Sequence, residues 1–123
     1  KPLAKHFVVL GVYVGEGILV NGAGGLTAGQ STLGTAASQS DAKAAYDAIV
    51  ALNEALATAY PNNFVNLQGA LAATYGESAT INGVAGCTLI NATALPDGTH
   101  PTLVAGAPLI ATTIQSFLTT KGW

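Results

Sequence analysis

The stretch Asp97-Gly98-Thr99-His100-Pro101 concentrates more chemistry than any other five residues of the 123-residue chain. It holds one of the two histidines, three positions after an aspartate and directly before a proline. Asp-Gly is a turn signal, and the first and fourth residues of a β-turn bring their Cα atoms within about 7 Å. Asp97 and His100 are therefore expected to be hydrogen-bond partners. Pro101 drives His100 out of the helical region into an extended conformation, so the imidazole is held on a loop. A carboxylate that fixes the imidazole tautomer and stabilises the imidazolium is what a histidine general base requires. Taken alone, the same spacing also describes a solvated turn carrying a passive histidine.

Other reactive side chains are few. His6 opens an apolar segment and reads as a strand-end histidine, hydrogen-bonded or solvated. Two histidines so far apart, with no cysteine or carboxylate cluster, do not make a metal site, and neither a metal nor a cofactor is expected. Cys87, between Gly86 and Thr88, could pair with His100 as a thiol nucleophile, but a buried structural cysteine is the simpler reading. A single cysteine excludes an internal disulfide. Glu16 falls at the C-terminal end of the first strand, where open α/β sheets place ligands, and either lines a cleft or is solvated. Tyr13, Tyr46, Tyr60 and Tyr75 read as core or rim residues. The segment Asn21 to Leu26 (NGAGGL) fails the dinucleotide fingerprint, because Thr27 stands where a third glycine is needed.

The elements that must position Asp97 and His100 follow from periodicity. Residues 5–14 (KHFVVLGVYV) are apolar at nearly every position and rich in β-branched and aromatic side chains, the pattern of a parallel strand buried on both faces. From Gly15 to Gln39 the chain reads as a long loop, with seven of the fifteen glycines between Gly15 and Gly34. Ser38-Gln39-Ser40-Asp41 resembles a capping box, and Ala45, Ile49, Leu52 and Leu56 recur at helical spacing. A helix over about residues 41–60 is expected, ended by Pro61. Phe64 to Leu67 reads as a short strand and Gln68 to Ala73 as a helical turn. Residues 80–84 and 88–90 are open between short strands and irregular structure. A last helix starts between Thr102 and Pro108 and runs to about Thr120, with Ile110, Ile114 and Phe117 as its buried stripe. This alternation predicts an α/β domain with strands 6–14 and 64–67 side by side in a parallel sheet, the helix between them serving as crossover. Two strands are too few for such a sheet.

Composition narrows the classes further. Charged residues make up 8% of the chain, and four basic side chains, all lysine, cannot assemble a phosphate-binding patch, so nucleic acid is not an expected partner. No apolar run is long enough to cross a bilayer, and no membrane span is expected. The low charge suggests a surface hidden against partners. The chain begins at Lys1 and contains no methionine, and no secretory signal is visible, so a processed or split chain is expected, with an upstream segment or companion polypeptide.

The residues Asp97-Gly98-Thr99-His100-Pro101, followed by the small-residue helix of 102–118, resemble the close of an SGNH (GDSL-type) hydrolase. The preceding AAYDAIVALNEALATAYPNNFVNL is similar to that family's penultimate helix and strand, with Asn66 where the family often has aspartate, and HFVVLGVYV to the strand before it. The resemblance covers nearly the whole chain but only the second half of a family member. It implies a flavodoxin-like, three-layer SGNH-hydrolase fold whose first strands are missing here, residues 1–123 being the C-terminal portion of one domain. It further implies that His100 is the general base and Asp97 its orienting partner in a serine esterase. The serine, in a Gly-Asp-Ser context, would lie outside this chain with the oxyanion-hole glycine and asparagine. Gly76-Glu77-Ser78 differs from that context by one methylene, but the chain order is wrong and coincidence is the simpler reading. Ser31, Ser38, Ser40 and Ser116 have no nucleophile-elbow context. The implied substrate is a small acyl or acetyl ester, including acylated glycans. The alternative is a non-catalytic structural or binding module of a surface or virion assembly; the sequence does not reveal the location, with an extracellular or surface- or virion-associated one favoured.

Overall fold

The computed structural model describes residues 6–18 and 39–123. The interior of the expected Gly15–Gln39 loop, the NGAGGL segment, Ser31 and the Ser38 of the expected capping box lie outside the described residues. In chain order the elements are β1 (Val9–Leu10), a 3-10 turn (Glu16–Ile18), α1 (Gln39–Ala59), β2 (Phe64–Val65), α2 (Leu67–Tyr75), β3 (Gly76–Ile81), β4 (Val84–Ile90) and α3 (Gly106–Lys121).

The fold is mixed α/β with one parallel pair. β1 and β2 run parallel, Val9 opposite Phe64 and Leu10 opposite Val65, with α1 between them in the chain as the apolar patterning predicts. Parallel neighbours require such a crossover, because a tight turn can only return the chain antiparallel. The other edge of the β1 segment is met at its C-terminal end by β4: Gly15 bridges Ile90 in parallel, and the Ile90 N–H donates to the Val14 carbonyl at 2.8 Å.

β3 and β4 form an antiparallel hairpin. Its turn is Asn82-Gly83, with φ of 51° and 75°. Two consecutive left-handed residues make the primed turn whose twist matches the flanking strands, and Asn-Gly is the pair that adopts it most readily. Residues 80–84, read from sequence as a strand or irregular segment, are thus the tip of a hairpin.

α1 is rotated relative to its expected apolar stripe. Ala42, Tyr46 and Ile49 face the core, while Ala45 and Leu52 are exposed. The Tyr46 hydroxyl accepts the Thr88 N–H of β4 at 3.0 Å, which fixes the rotation of the helix against the hairpin. α2 extends beyond the helical turn expected at 68–73. Asn66 is its N-cap, its side chain accepting the Gly69 N–H at 2.9 Å and satisfying one otherwise orphaned donor. Pro108 lies in the first turn of α3, where its missing N–H removes no intrahelical bond. Ile110, Ile114 and Phe117 are half-buried.

Two apolar clusters form the core. Val14, Ile81, Cys87 and Leu89 pack with Ala42, Tyr46 and Ile49 of α1. Leu71, Ile90, Ala94 and Leu95 pack with Tyr13 and with residues of α2 and α3. Adjacent residues in a strand point to opposite faces. Tyr13/Val14 and Leu89/Ile90 each divide between the two clusters, so the clusters lie on opposite sides of the strands, which form two two-stranded sheets joined by the Gly15–Ile90 bridge. The burial of residues 5–14 on both faces is not reached: Phe7 is 53%, Leu10 44% and Val12 39% exposed. Among the described residues only β2 and the C-terminal end of β4 pair with this segment. No helix among the described residues is long and apolar enough to cross a membrane.

Candidate active site

The Asp97–His100 turn is anchored from below. Ala94 and Leu95 are fully buried in the second cluster, and the Leu95 N–H donates to the Asn91 carbonyl at 3.0 Å. The Gly98 N–H donates back to the Leu95 carbonyl at 2.8 Å, which closes the turn. On the far side, the Thr102 N–H donates to the Ala94 carbonyl at 2.8 Å, and the Thr102 hydroxyl donates to the Thr93 carbonyl at 3.1 Å. The Gly106 N–H donates to that hydroxyl at 3.2 Å, tying the turn to the start of α3.

The turn also docks on the end of the sheet. Gly98 has φ of 75°, and a Cβ there would run into the backbone of Gly17. A Cβ at Gly17 would lie 2.8 Å from the Gly98 Cα. Glycine at both positions lets the two backbones touch, and this contact sets the turn against the C-terminal end of the β1 segment. Tyr13 reaches the same turn, its hydroxyl 3.5 Å from the Thr99 carbonyl. Burial, with the Asp97 charge adding to it, raises the phenol above its ordinary range, so Tyr13 is a neutral donor here.

Within the turn, Asp97 is saturated with donors. Its Oδ1 accepts the backbone N–H of His100 at 2.6 Å and of Thr99 at 2.9 Å, and its Oδ2 lies 2.6 Å from His100 Nδ1. The His100 backbone N–H, then its imidazole, then the Thr99 N–H hold the carboxyl well below the usual carboxylate range. An ionised carboxylate only accepts, so the proton of the 2.6 Å contact sits on Nδ1. In the neutral ring Nε2 is then the basic nitrogen. No described group hydrogen-bonds it, and the His100 side chain is 75% exposed. The carboxylate, the tautomer and the free basic nitrogen are the components of a general base.

The remaining candidates fall elsewhere. Ser78 lies on β3 opposite Thr88 and Ser116 lies on α3, and neither hydrogen-bonds His100. Cys87 is buried, its thiol 3.6 Å from the Val84 carbonyl. His6 stacks on Trp123, ring centroids 4.5 Å apart. Among the described residues no group of His, Cys, Asp and Glu could hold a metal ion. Glu16 is half-buried beside Glu77. Burial and the Glu77 charge raise its carboxyl above the ordinary range, and the Ala92 N–H partly opposes them. Asn91 donates to Glu77 at 3.0 Å from the segment that leads to the Asp97 turn. Sequence reading did not find the Gly17–Gly98 contact, which joins positions 81 residues apart. Its only trace is glycine at both places. A scan against family models and searches of curated proteins and solved structures find no match to the chain.

Proposed function

We propose that this protein is part of an SGNH-like serine ester hydrolase and supplies the Asp97–His100 pair to a serine outside the chain. The observation that carries this reading is the 2.6 Å contact between Asp97 Oδ2 and His100 Nδ1 on an exposed turn, which leaves Nε2 outward. Residues 1–123 are then the C-terminal portion of one flavodoxin-like, three-layer domain. A companion polypeptide or upstream segment contributes the serine and the remaining strands. Nε2 takes the serine proton as Oγ attacks the ester carbonyl carbon. As the tetrahedral intermediate collapses, the carbon–alkoxy bond breaks and the same nitrogen protonates the leaving alcohol. Water then releases the acyl group from the serine by the same route. No cofactor enters these steps, and the substrate is an acyl or acetyl ester, including esters on carbohydrate.

The second reading is a structural or binding module of a surface or virion assembly. The 8% charge content favours it, as do Leu103 and Val104, which are 89% and 90% exposed just beyond the turn. Turnover of p-nitrophenyl acetate by the protein, assayed with any polypeptide that co-purifies, separates the two. His100→Ala is expected to abolish turnover and to leave the thermal melt unchanged. Undiminished turnover by that variant overturns the assignment.

A further inference from the structure

Acyl transfer to nitrogen needs a lone pair that solvent-borne molecules can reach and a partner for the positive charge that attack creates. His100 has both within its own turn. The 2.6 Å contact to Asp97 Oδ2 keeps the proton on Nδ1, so the lone pair lies on Nε2, on the side of the ring away from the carboxylate. The side chain is 75% exposed, and no described group hydrogen-bonds Nε2. The Thr99 and His100 amides hold the other carboxylate oxygen, so the turn itself orients the ring.

The chain's other histidine lacks this arrangement. His6 lies against Trp123, ring centroids 4.5 Å apart, and no described carboxylate pairs with it. The two side chains therefore separate what any imidazole does from what the Asp97 contact adds.

We propose that His100 carries a serine-independent activity, in which Nε2 accepts an acyl group directly from an activated donor, an aryl ester or a mixed anhydride, and passes it to water. Nε2 attacks the carbonyl carbon, the bond from that carbon to the leaving oxygen breaks, and the phenoxide or carboxylate departs with the electron pair. The product is an acylimidazolium whose Nδ1–H still points at Asp97, and the carboxylate balances its charge. Water then adds to the acyl carbon and the carbon–Nε2 bond breaks, returning its electron pair to the ring. Both protons of that water pass to solvent as the carboxylate product is released. The donor class follows from the leaving group. Nitrophenoxide and carboxylates are weak enough bases to leave the tetrahedral adduct in competition with imidazole. An alkoxide is a far stronger base, so from an alkyl ester the imidazole is expelled again and no product forms. This activity does not depend on the esterase reading, which requires a serine.

The test uses the whole protein, with any polypeptide that co-purifies, after treatment with a fluorophosphonate that blocks reactive serines. The treated protein is expected to go on hydrolysing p-nitrophenyl acetate at a rate proportional to its concentration and to leave ethyl acetate untouched. Acid-quenched samples should carry an acetyl group on His100, located by tandem mass spectrometry and removed by hydroxylamine. With the serines blocked, His100→Ala is expected to lose the remaining turnover, His6→Ala to keep it, and Asp97→Asn to lower it several-fold, thermal melts showing that each variant folds. Complete loss of aryl-ester turnover after the phosphonate would assign all of it to a serine, overturning this proposal and leaving the esterase reading in place. Equal losses in His6→Ala and His100→Ala would reduce it to ordinary surface imidazole chemistry and overturn it too. Absence of the acetyl group at His100 in the treated, unmutated protein overturns it without recourse to any variant. Ethyl acetate hydrolysis before the phosphonate, and its loss afterwards, reports on the serine alone, so the two readings fail separately.

Discussion

At the scale of single residues, Asp97 has two separable tasks. Its Oδ1 gathers the Thr99 and His100 amides and shapes the turn, while its Oδ2 holds the imidazole. Asp97→Asn keeps an oxygen for the amides but cannot both accept from Nδ1–H and balance an imidazolium. On the proposed esterase reading, the variant is expected to fold normally and to lose turnover by about 10⁴-fold, the scale of such a loss in a serine protease triad. Steady-state kinetics beside a thermal melt checks both halves. The pH dependence has a definite sign. A carboxyl held below its unfolded value contributes stability that is present above the unfolded pKa and lost only as pH falls through the lower folded value. The Asp97–His100 contact should therefore persist at pH 4, read as an unshifted Asp97 carboxyl carbon resonance, and its protonation there would contradict this account. Glu16 has the opposite sign. Its raised carboxyl binds the proton more readily in the folded state, so stability declines as pH rises through that value. Glu16→Gln is expected to raise the melting temperature at pH 7 by a few degrees at most, the gain vanishing toward pH 4. A gain that persists undiminished at pH 4 would assign the effect to packing.

Single elements show what local signals carry. Helices α1 and α3 and the strands that flank α1 were legible because 3.6-residue and continuous apolar patterns are local, and the Asp97–His100 pairing was legible because one turn contains it. Asn82-Gly83 was equally local, yet β-branched neighbours on both sides left the segment open between a short strand and irregular structure. What no local pattern carries is the meeting of Gly17 with Gly98, or of Asn53 with Val12, since these join positions fixed only by tertiary packing. Two glycines with the same φ of 75° isolate the difference. Gly83 has nothing within 4 Å of a Cβ position, whereas at Gly98 the Gly17 backbone is in the way. Gly83→Ala should cost about 1 kcal/mol from the left-handed conformation alone. Gly98→Ala adds a collision between two backbones and should cost severalfold more, displacing the turn and with it the imidazole. Urea unfolding ranks the two, and equal losses would mean that Gly98 and Gly17 are not in contact.

Over the whole molecule, the core divides into two clusters on opposite sides of the strands, and only one of them carries the Asp97–His100 turn. Leu95 and Ala94 root the Asp97–His100 turn in the cluster that also contains Leu71 and Ile90. The hairpin and α1 pack on the other face, around Ile81 and Leu89. Leu71 and Ile81 are both fully buried branched aliphatics, so truncating either to alanine removes comparable apolar volume. Each change should destabilise by about 2–5 kcal/mol through lost burial and the cavity left behind. Their consequences for the turn should differ. Leu71→Ala loosens the layer beneath Leu95 and is expected to broaden or shift the His100 ring resonances in protein that remains folded. Ile81→Ala acts across the sheet and is expected to leave those resonances unchanged at equal loss of stability. Matching perturbation of the His100 ring by both variants would mean that the two clusters behave as one core, and that the turn takes its order from global stability rather than from the face on which it is built.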